Sequence, residues 1–307
     1  MSQLLSQVGV IFLLMLLGAL IRKSGFLHEE SITDVTNIAL YFLSPLVIIK
    51  AFEQEFSAQR MVLLLKVIGL VFLTYIITIF MANLIFKSVA DKNLKRIALY
   101  GSVYSNNGFM GVPLALGLFG SQGVFYSVAS LIGFNILSWT HGLGIFRISE
   151  PKSWQQQLKQ ICLNPNIIAI ILGFLVFINS YHFPSVLESF INYASASFTP
   201  ISMMVIGSNL VNVRINDLKL APSLWLSLFL RNILFPIVGI VLLRLAGISG
   251  VALYTTVILS ACPVAGLVVL FTLQAKGDAR PATVLMSLST ILSLVTIPLI
   301  FFISKLF

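Results

Sequence analysis

Charge is what this chain has least of. Only 9% of its 307 residues are charged, and just ten are acidic, with three histidines and two cysteines besides. This scarcity removes whole classes of chemistry. An intramembrane enzyme needs paired aspartates, a HExxH pair or a Ser/His combination at depth, and the chain has none, so no enzymatic activity is expected. Cys162 falls in a basic connection and Cys262 inside an apolar run, which suggests neither a disulfide framework nor a metal site. No cofactor is expected. Asp34 and Glu188 lie near the starts of apolar runs and the other acids lie in connections, so a carboxylate-based proton pump or a cation exporter lacks its working groups. A polar or charged ring repeated through a pore, as a channel requires, is not apparent either.

What is abundant is apolar surface. Hydrophobic residues make up 58% of the chain, and the mean hydropathy is +1.01. A soluble fold does not hide that much, so an all-α protein integral to the lipid bilayer is expected. Runs of spanning length occur at about 4–21, 32–52, 61–86, 94–119, 121–146, 166–181, 184–211, 220–245, 249–275 and 282–304. The first lacks a basic n-region and a cleavage site of small residues, and reads as a retained span. The stretch 147–165 reads as a cytoplasmic linker with a short surface helix, separating a first five-helix unit (1–146) from a second (166–307).

The net charge of +9 belongs to the connections and sets orientation, so no nucleic-acid partner is expected. Connections around 22–23, 87–96, 147–159, 214–219 and 276–280 hold thirteen of the 19 basic residues. The opposite side holds Lys50, Arg60, Arg244 and Lys305, while Lys66 and Arg231 fall inside spans. The richer side is then cytoplasmic, and both termini are extracytoplasmic at the cell membrane.

One constant shift of the chain brings Leu17 onto Leu172, Gly18 onto Gly173, Asn37 onto Asn192, Ala39 onto Ala194, Ser44-Pro45 onto Thr199-Pro200 and Ser105 onto Ser260. Leucine and alanine matches are cheap in this composition; the asparagine and proline matches are not. Five spans per copy is an odd number, so the second copy enters from the opposite side. The result is an inverted repeat, a plan of secondary transporters.

Two spans are interrupted. Ser105-Asn106-Asn107-Gly108-Phe109-Met110-Gly111-Val112-Pro113 breaks span 4, and Ala261-Cys262-Pro263-Val264-Ala265-Gly266 breaks span 9. Unpaired backbone groups in hydrocarbon cost several kcal/mol each, so such breaks persist only when buried in protein or lining a cavity. Asparagine favours an N-cap, which restarts a helix after Asn106. Proline is tolerated at a first helical position, which restarts one around Cys262-Pro263. Two half-helix N-termini then cross at mid-membrane and attract an anion, with cationic Lys66 and Arg231 as neighbours and no acid. Asn106 and Asn107 cap the break and contact the ligand. Pro113 and Pro263 fix the crossover geometry. Ser44 and Thr199 either kink their helices with the following prolines or reach the substrate. Arg231 either holds the anion or pairs with carbonyls at a helix end. Lys66 snorkels to its span's outer end, and His141 makes a local polar contact.

These residues resemble the auxin efflux carrier family, which includes the plant PIN auxin exporters and bacterial carriers of malate or malonate. The resemblance rests on Asn106-Asn107-Gly108-Phe109-Met110-Gly111-Val112-Pro113-Leu114, on Arg231-Asn232-Ile233-Leu234-Phe235-Pro236, and on Ser260-Ala261-Cys262-Pro263 with Gly266, Ser289-Thr290 and Pro298. It covers essentially the whole chain. It implies a fold similar to the bile-acid sodium symporters and sodium/proton antiporters. Spans 1, 2, 6 and 7 would form a scaffold and dimerise, while spans 3–5 and 8–10 would move around crossed helices 4 and 9. By similarity Asn106 meets a substrate carboxylate, and Gly108, Cys262, Pro263 and Val264 belong to the same crossover. Asn135 stands where the exporters have a glutamine and Thr140 where they have a tyrosine, which shortens the polar reach. The implied function is alternating-access transport of a small organic anion, auxin-like or a dicarboxylate such as malate. A sodium- or proton-coupled symporter of the bile-acid type is the alternative.

Overall fold

The computed structural model describes residues 2–146, 154–211 and 220–306; the cations Arg147, Lys152, Arg214 and Lys219 of the orientation argument lie outside them. The described residues form helices without a named strand. In chain order these are α1 (Ser2–Lys23), α2 (Glu29–Phe52), α3 (Ala58–Ile85), α4 (Lys92–Val103), α5 (Asn107–Phe146) and α6 (Trp154–Cys162). They continue as α7 (Pro165–Ile178), α8 (Ser185–Leu210), α9 (Pro222–Leu245), α10 (Gly250–Ala261), α11 (Leu267–Gln274) and α12 (Arg280–Leu306). Among the described residues, six helical stretches are long and apolar enough to cross a membrane, within α1, α2, α3, α5, α9 and α12, and α7 and α10 are shorter apolar helices. Leu13, Val62, Phe80 and Leu175 are exposed on them. Large side chains so placed require an apolar surrounding, because each loses about 1.5–3 kcal/mol of burial in water. The chain is a membrane-embedded, multi-pass protein.

Three of the helices widen a turn ahead of a proline. Proline lacks an N–H, and its ring clashes with the carbonyl four residues earlier. In α2, α5 and α9 the turn holding that carbonyl widens into a π-turn: Ala39–Leu43 before Pro45, Asn107–Gly111 before Pro113, and Leu230–Leu234 before Pro236. Gly120 divides α5. Its φ of 59° and ψ of −151° suit glycine. A Cβ on Gly123 would overlap the Ala115 carbonyl, so residues 121–146 fold back along 107–119.

Two pairings fix the rest. Helix α1 packs on α8 at glycine contacts, where a Cβ on Gly18 would overlap the Met204 carbonyl and one on Gly207 the Met15 carbonyl. The C-terminal half of α2 packs on α7, with Phe52 over Gly173 and against Phe174 and Phe177. Lys50 ties the end of α2 to the start of α8 through Glu53 (2.7 Å) and Glu188 (2.9 Å). Elsewhere residues 112–137 of α5 pack on α10, and α4 packs on the first half of α9.

Candidate functional site

The two breaks satisfy each other. Between α4 and α5 the backbone is extended at Tyr104 (φ −99°, ψ 113°), and between α10 and α11 it is extended at Cys262 (φ −61°, ψ 150°). A residue before proline is driven from the helical region, which explains Cys262 ahead of Pro263. Ser105 and Val264 pair antiparallel. The Asn106 amide donates to the Pro263 carbonyl at 2.7 Å, and the Ala265 amide to the Tyr104 carbonyl at 3.0 Å. Groups that hydrocarbon would leave unpaired therefore find partners in the other break. This pairing also corrects one expectation: the second helix restarts at Leu267 rather than around Pro263. The Pro263 carbonyl and the Ala265 amide are engaged by the first break, which keeps the chain extended past them.

Side chains from α9 and α12 complete the frame. Ser289 Oγ accepts from the Val264 amide (3.0 Å) and donates to Asn232 Oδ1 (2.7 Å). Asn232 Nδ2 returns a bond to the Ser289 carbonyl at 3.0 Å. Arg231, only 3% exposed, donates to the Val103 carbonyl at 2.6 Å and to the Ser260 carbonyl. Those carbonyls end α4 and α10, where the negative poles of both helices lie.

The break separates two cavities, and consecutive residues serve them alternately. Ser105 and Asn107 line a polar cavity of ≈ 50 Å³ with Tyr75, Ser130 and Arg231. Asn106 and Gly108 line a cavity of ≈ 380 Å³ on the other side. Asn106 (φ −77°, ψ 66°) turns the chain from the extended Tyr104 into the helix that opens at Asn107, and the side chains around that turn face different cavities. Asn107 is fully engaged: its Oδ1 accepts from Ser105 Oγ at 2.8 Å, and its Nδ2 contacts the Tyr75 hydroxyl and the Ser130 carbonyl. Asn106 is not. Its Oδ1 caps α5 by accepting from the Phe109 amide at 3.3 Å. That leaves its Nδ2 donors without a partner among the described residues, at the wall of the large cavity.

The large cavity carries amides and no charge among its described lining residues. Besides Asn106 it has Asn135, Asn164, Asn166 and Asn209, with Thr36 and Thr290. Asn164 caps α7 by accepting from the Asn166 amide and donates to Asn135 Oδ1 at 3.0 Å. Asn166 Oδ1 accepts from Ser44 Oγ at 2.9 Å, which turns its own NH2 group away from that bond. The remaining wall is apolar and aromatic, including Phe109, Phe134, Trp139, Leu267 and Met286. Such a chamber suits a ligand with an apolar body and a hydrogen-bond-accepting head.

Of the residues expected at the site, Asn106, Gly108 and Asn135 line this chamber. Asn107 and Arg231 face the small cavity. Cys262, Pro263 and Val264 are buried in the paired backbone behind the wall, and Pro113 is buried in α5. Ser44 acts one step away, through Asn166. Thr140 bonds back to the Ile136 carbonyl, and Thr199 lies in α8, whose proline leaves the helix unbroken; neither lines either cavity. Lys66 donates to the Ala246 carbonyl at the end of α9, and His141 Nδ1 meets the Tyr104 hydroxyl at 2.8 Å. The sequence reading missed Asn164, Asn166, Asn209 and Trp139. For Asn164 and Asn166 the signal available was the Asn-Pro-Asn run opening an apolar stretch; no such run marks Asn209 or Trp139.

The family model described as membrane transport protein matches residues 4–301. An uncharacterized transporter of Methanocaldococcus jannaschii is 28% identical over 210 residues, covering 66% of this chain and 68% of its own. An uncharacterized transporter of Methanothermobacter thermautotrophicus is 25% identical over 292 residues, covering 94% of each chain. With paired breaks, a chamber beside them and this match along almost its whole length, the chain belongs to the membrane transport protein family, that of the auxin efflux carriers.

Proposed function

We propose that the protein is a secondary carrier that binds a small organic anion by its carboxylate at Asn106, in the amide-lined chamber. The observation that carries this reading is the uncommitted Asn106 Nδ2 group in a chamber without a carboxylate among its described walls. A carboxylate has acceptors only, so it meets donors and no repulsion. The first turns of α5 and α11 also begin beside the chamber, and their positive poles favour an anion there.

On this reading ten spans form two inverted five-span repeats, each carrying one break. Spans 1, 2, 6 and 7 (α1, α2, α7 and α8) are the scaffold, consistent with the packing of α1 on α8 and α2 on α7. The remaining helices carry the crossed breaks and shift against it, exposing the anion alternately to the two sides. The chamber lies toward the helix ends next to connections rich in Arg and Lys, since Leu267 leads along α11 to Lys276 and Asn164 follows the linker. On this reading the chamber is on the cytoplasmic side of the cell membrane, the termini lie outside and the scaffold is the dimer face. An inside-negative potential favours anion export, since one charge across 100 mV is worth about 2.3 kcal/mol. Sodium coupling at the small cavity is disfavoured by Arg231 within its wall.

The test is a thermal-shift screen of mono- and dicarboxylates on the purified protein and on Asn106→Ala. Stabilisation of the first and not the second supports the site. No stabilisation by any carboxylate, or equal stabilisation of both, rejects it.

A further inference from the structure

We infer that Arg231 is the resident counter-charge of the transported anion, acting through the paired breaks without touching it, so that the voltage-sensitive step is the return of the empty carrier. This deepens the proposed function and rests on it for the identity of the anion.

Charge accounting at the break leads there. Four helix ends meet: the C-terminal ends of α4 and α10 and the N-terminal ends of α5 and α11. Each contributes a pole of about half a charge, two negative and two positive, so the helix poles sum to about zero. What remains is the single charge of Arg231. It is buried, it bonds carbonyls alone, and no described carboxylate pairs with it. Its Nε finds no hydrogen-bond partner among the described residues, although it is buried. An uncompensated charge in such a position is costly and marks function.

The chamber lies just across the backbone from this charge. Arg231 holds the Val103 and Ser260 carbonyls, and Asn106 and Pro263 each follow three residues later. Three residues span at most about 10 Å. At that separation and an effective dielectric constant of about 20, the attraction between unit charges is worth roughly tenfold in affinity. A monoanion brings the loaded site to neutrality. The empty site is left with one positive charge, and a dianion leaves it with one negative. An inside-negative potential therefore draws the empty carrier back toward the inside and leaves the monoanion-loaded carrier almost unaffected. Neither proton nor sodium is needed to complete the cycle.

The experiment uses wild type, R231K and R231Q in liposomes on a solid-supported membrane, with benzoate as monoanion and benzamide as its neutral isostere. Expected for wild type and R231K are a substrate-free charge movement on a voltage jump, benzoate exchange independent of potential, and net benzoate efflux dependent on it. Expected for R231Q are loss of the substrate-free movement and a roughly tenfold weaker affinity for benzoate, with benzamide unchanged. Exchange in the wild type as steeply voltage-dependent as net efflux overturns the inference without needing any variant, and so does an unaltered charge movement in a folded R231Q. Either result leaves the carboxylate site at Asn106 standing. Arg231-dependent charge movement without benzoate binding or transport does the reverse: it supports the resident charge and rejects benzoate as a ligand of the chamber.

Discussion

The backbone amide of Asn106 donates to the carbonyl of Pro263 at 2.7 Å, joining two helix breaks separated by half the chain. Because that bond occupies the Asn106 main chain and the helix cap occupies its Oδ1, one function remains for the side chain, donation from Nδ2 into the chamber. The site follows from this division of labour within a single residue.

Asn106→Ala removes a cap and a donor together. The cap is worth about 0.5–2 kcal/mol of stability, and a hydrogen bond to a charged group about 1.5–3 kcal/mol of binding. Melting temperature and carboxylate affinity should therefore both fall, affinity by roughly one to two orders of magnitude. Asn106→Asp keeps the cap but adds a like charge, so it should lose carboxylate binding at neutral pH while melting close to wild type.

Ser289→Ala should destabilise without touching the chamber's donors. Ser289 accepts from the Val264 amide and donates to Asn232, and its loss leaves buried groups unpaired at about 1–3 kcal/mol. Denaturation of the detergent-solubilised variant measures this. A variant as stable as wild type would show that the second break does not depend on α12.

The approach of α1 to α8 predicts intolerance at Gly18. Even Gly18→Ala places a Cβ against the Met204 carbonyl and should cost about 1–3 kcal/mol through overpacking. Gly9, on the same helix, has open space around its missing side chain, and Gly9→Ala should be neutral or slightly stabilising. Comparing the two melting curves isolates the contact from helix propensity.

Lys50→Met should cost more than the roughly 0–1 kcal/mol of an exposed ion pair. Glu188 is half-exposed, but the Glu53 side chain is only 4% exposed and would be left without its cation. Raising the salt concentration should shift the wild-type melting temperature toward that of the variant.

Much of this was legible in residue order. Each expected apolar run is occupied by helix, and the polar run at Ser105-Asn106-Asn107-Gly108 marks the break that is found. The second break, expected at Ala261-Cys262-Pro263-Val264-Ala265-Gly266, is also found, and within it Val264 pairs with Ser105. What stayed hidden depends on convergence in space. Asn164 and Asn166 sit at the start of α7 and Asn209 at the end of α8, where asparagine ordinarily means a cap or a turn, and nothing local says that these two ends face one chamber. Arg231 was identifiable as a deep cation, but its direction is set by the Val103 and Ser260 carbonyls, which come from helices distant in sequence. Pro263 looked like a helix start because proline favours that position. The competing demand came from Tyr104, whose carbonyl takes the Ala265 amide and delays the helix to Leu267.

The account stands most directly on efflux of a labelled carboxylate, selected by the thermal-shift screen, from liposomes holding wild type or Asn106→Ala. Under an inside-negative potential and without sodium, wild type should release the anion and the variant should release it at least about tenfold more slowly at subsaturating concentration. Equal release by both proteins, or release by wild type only with sodium present, would contradict it.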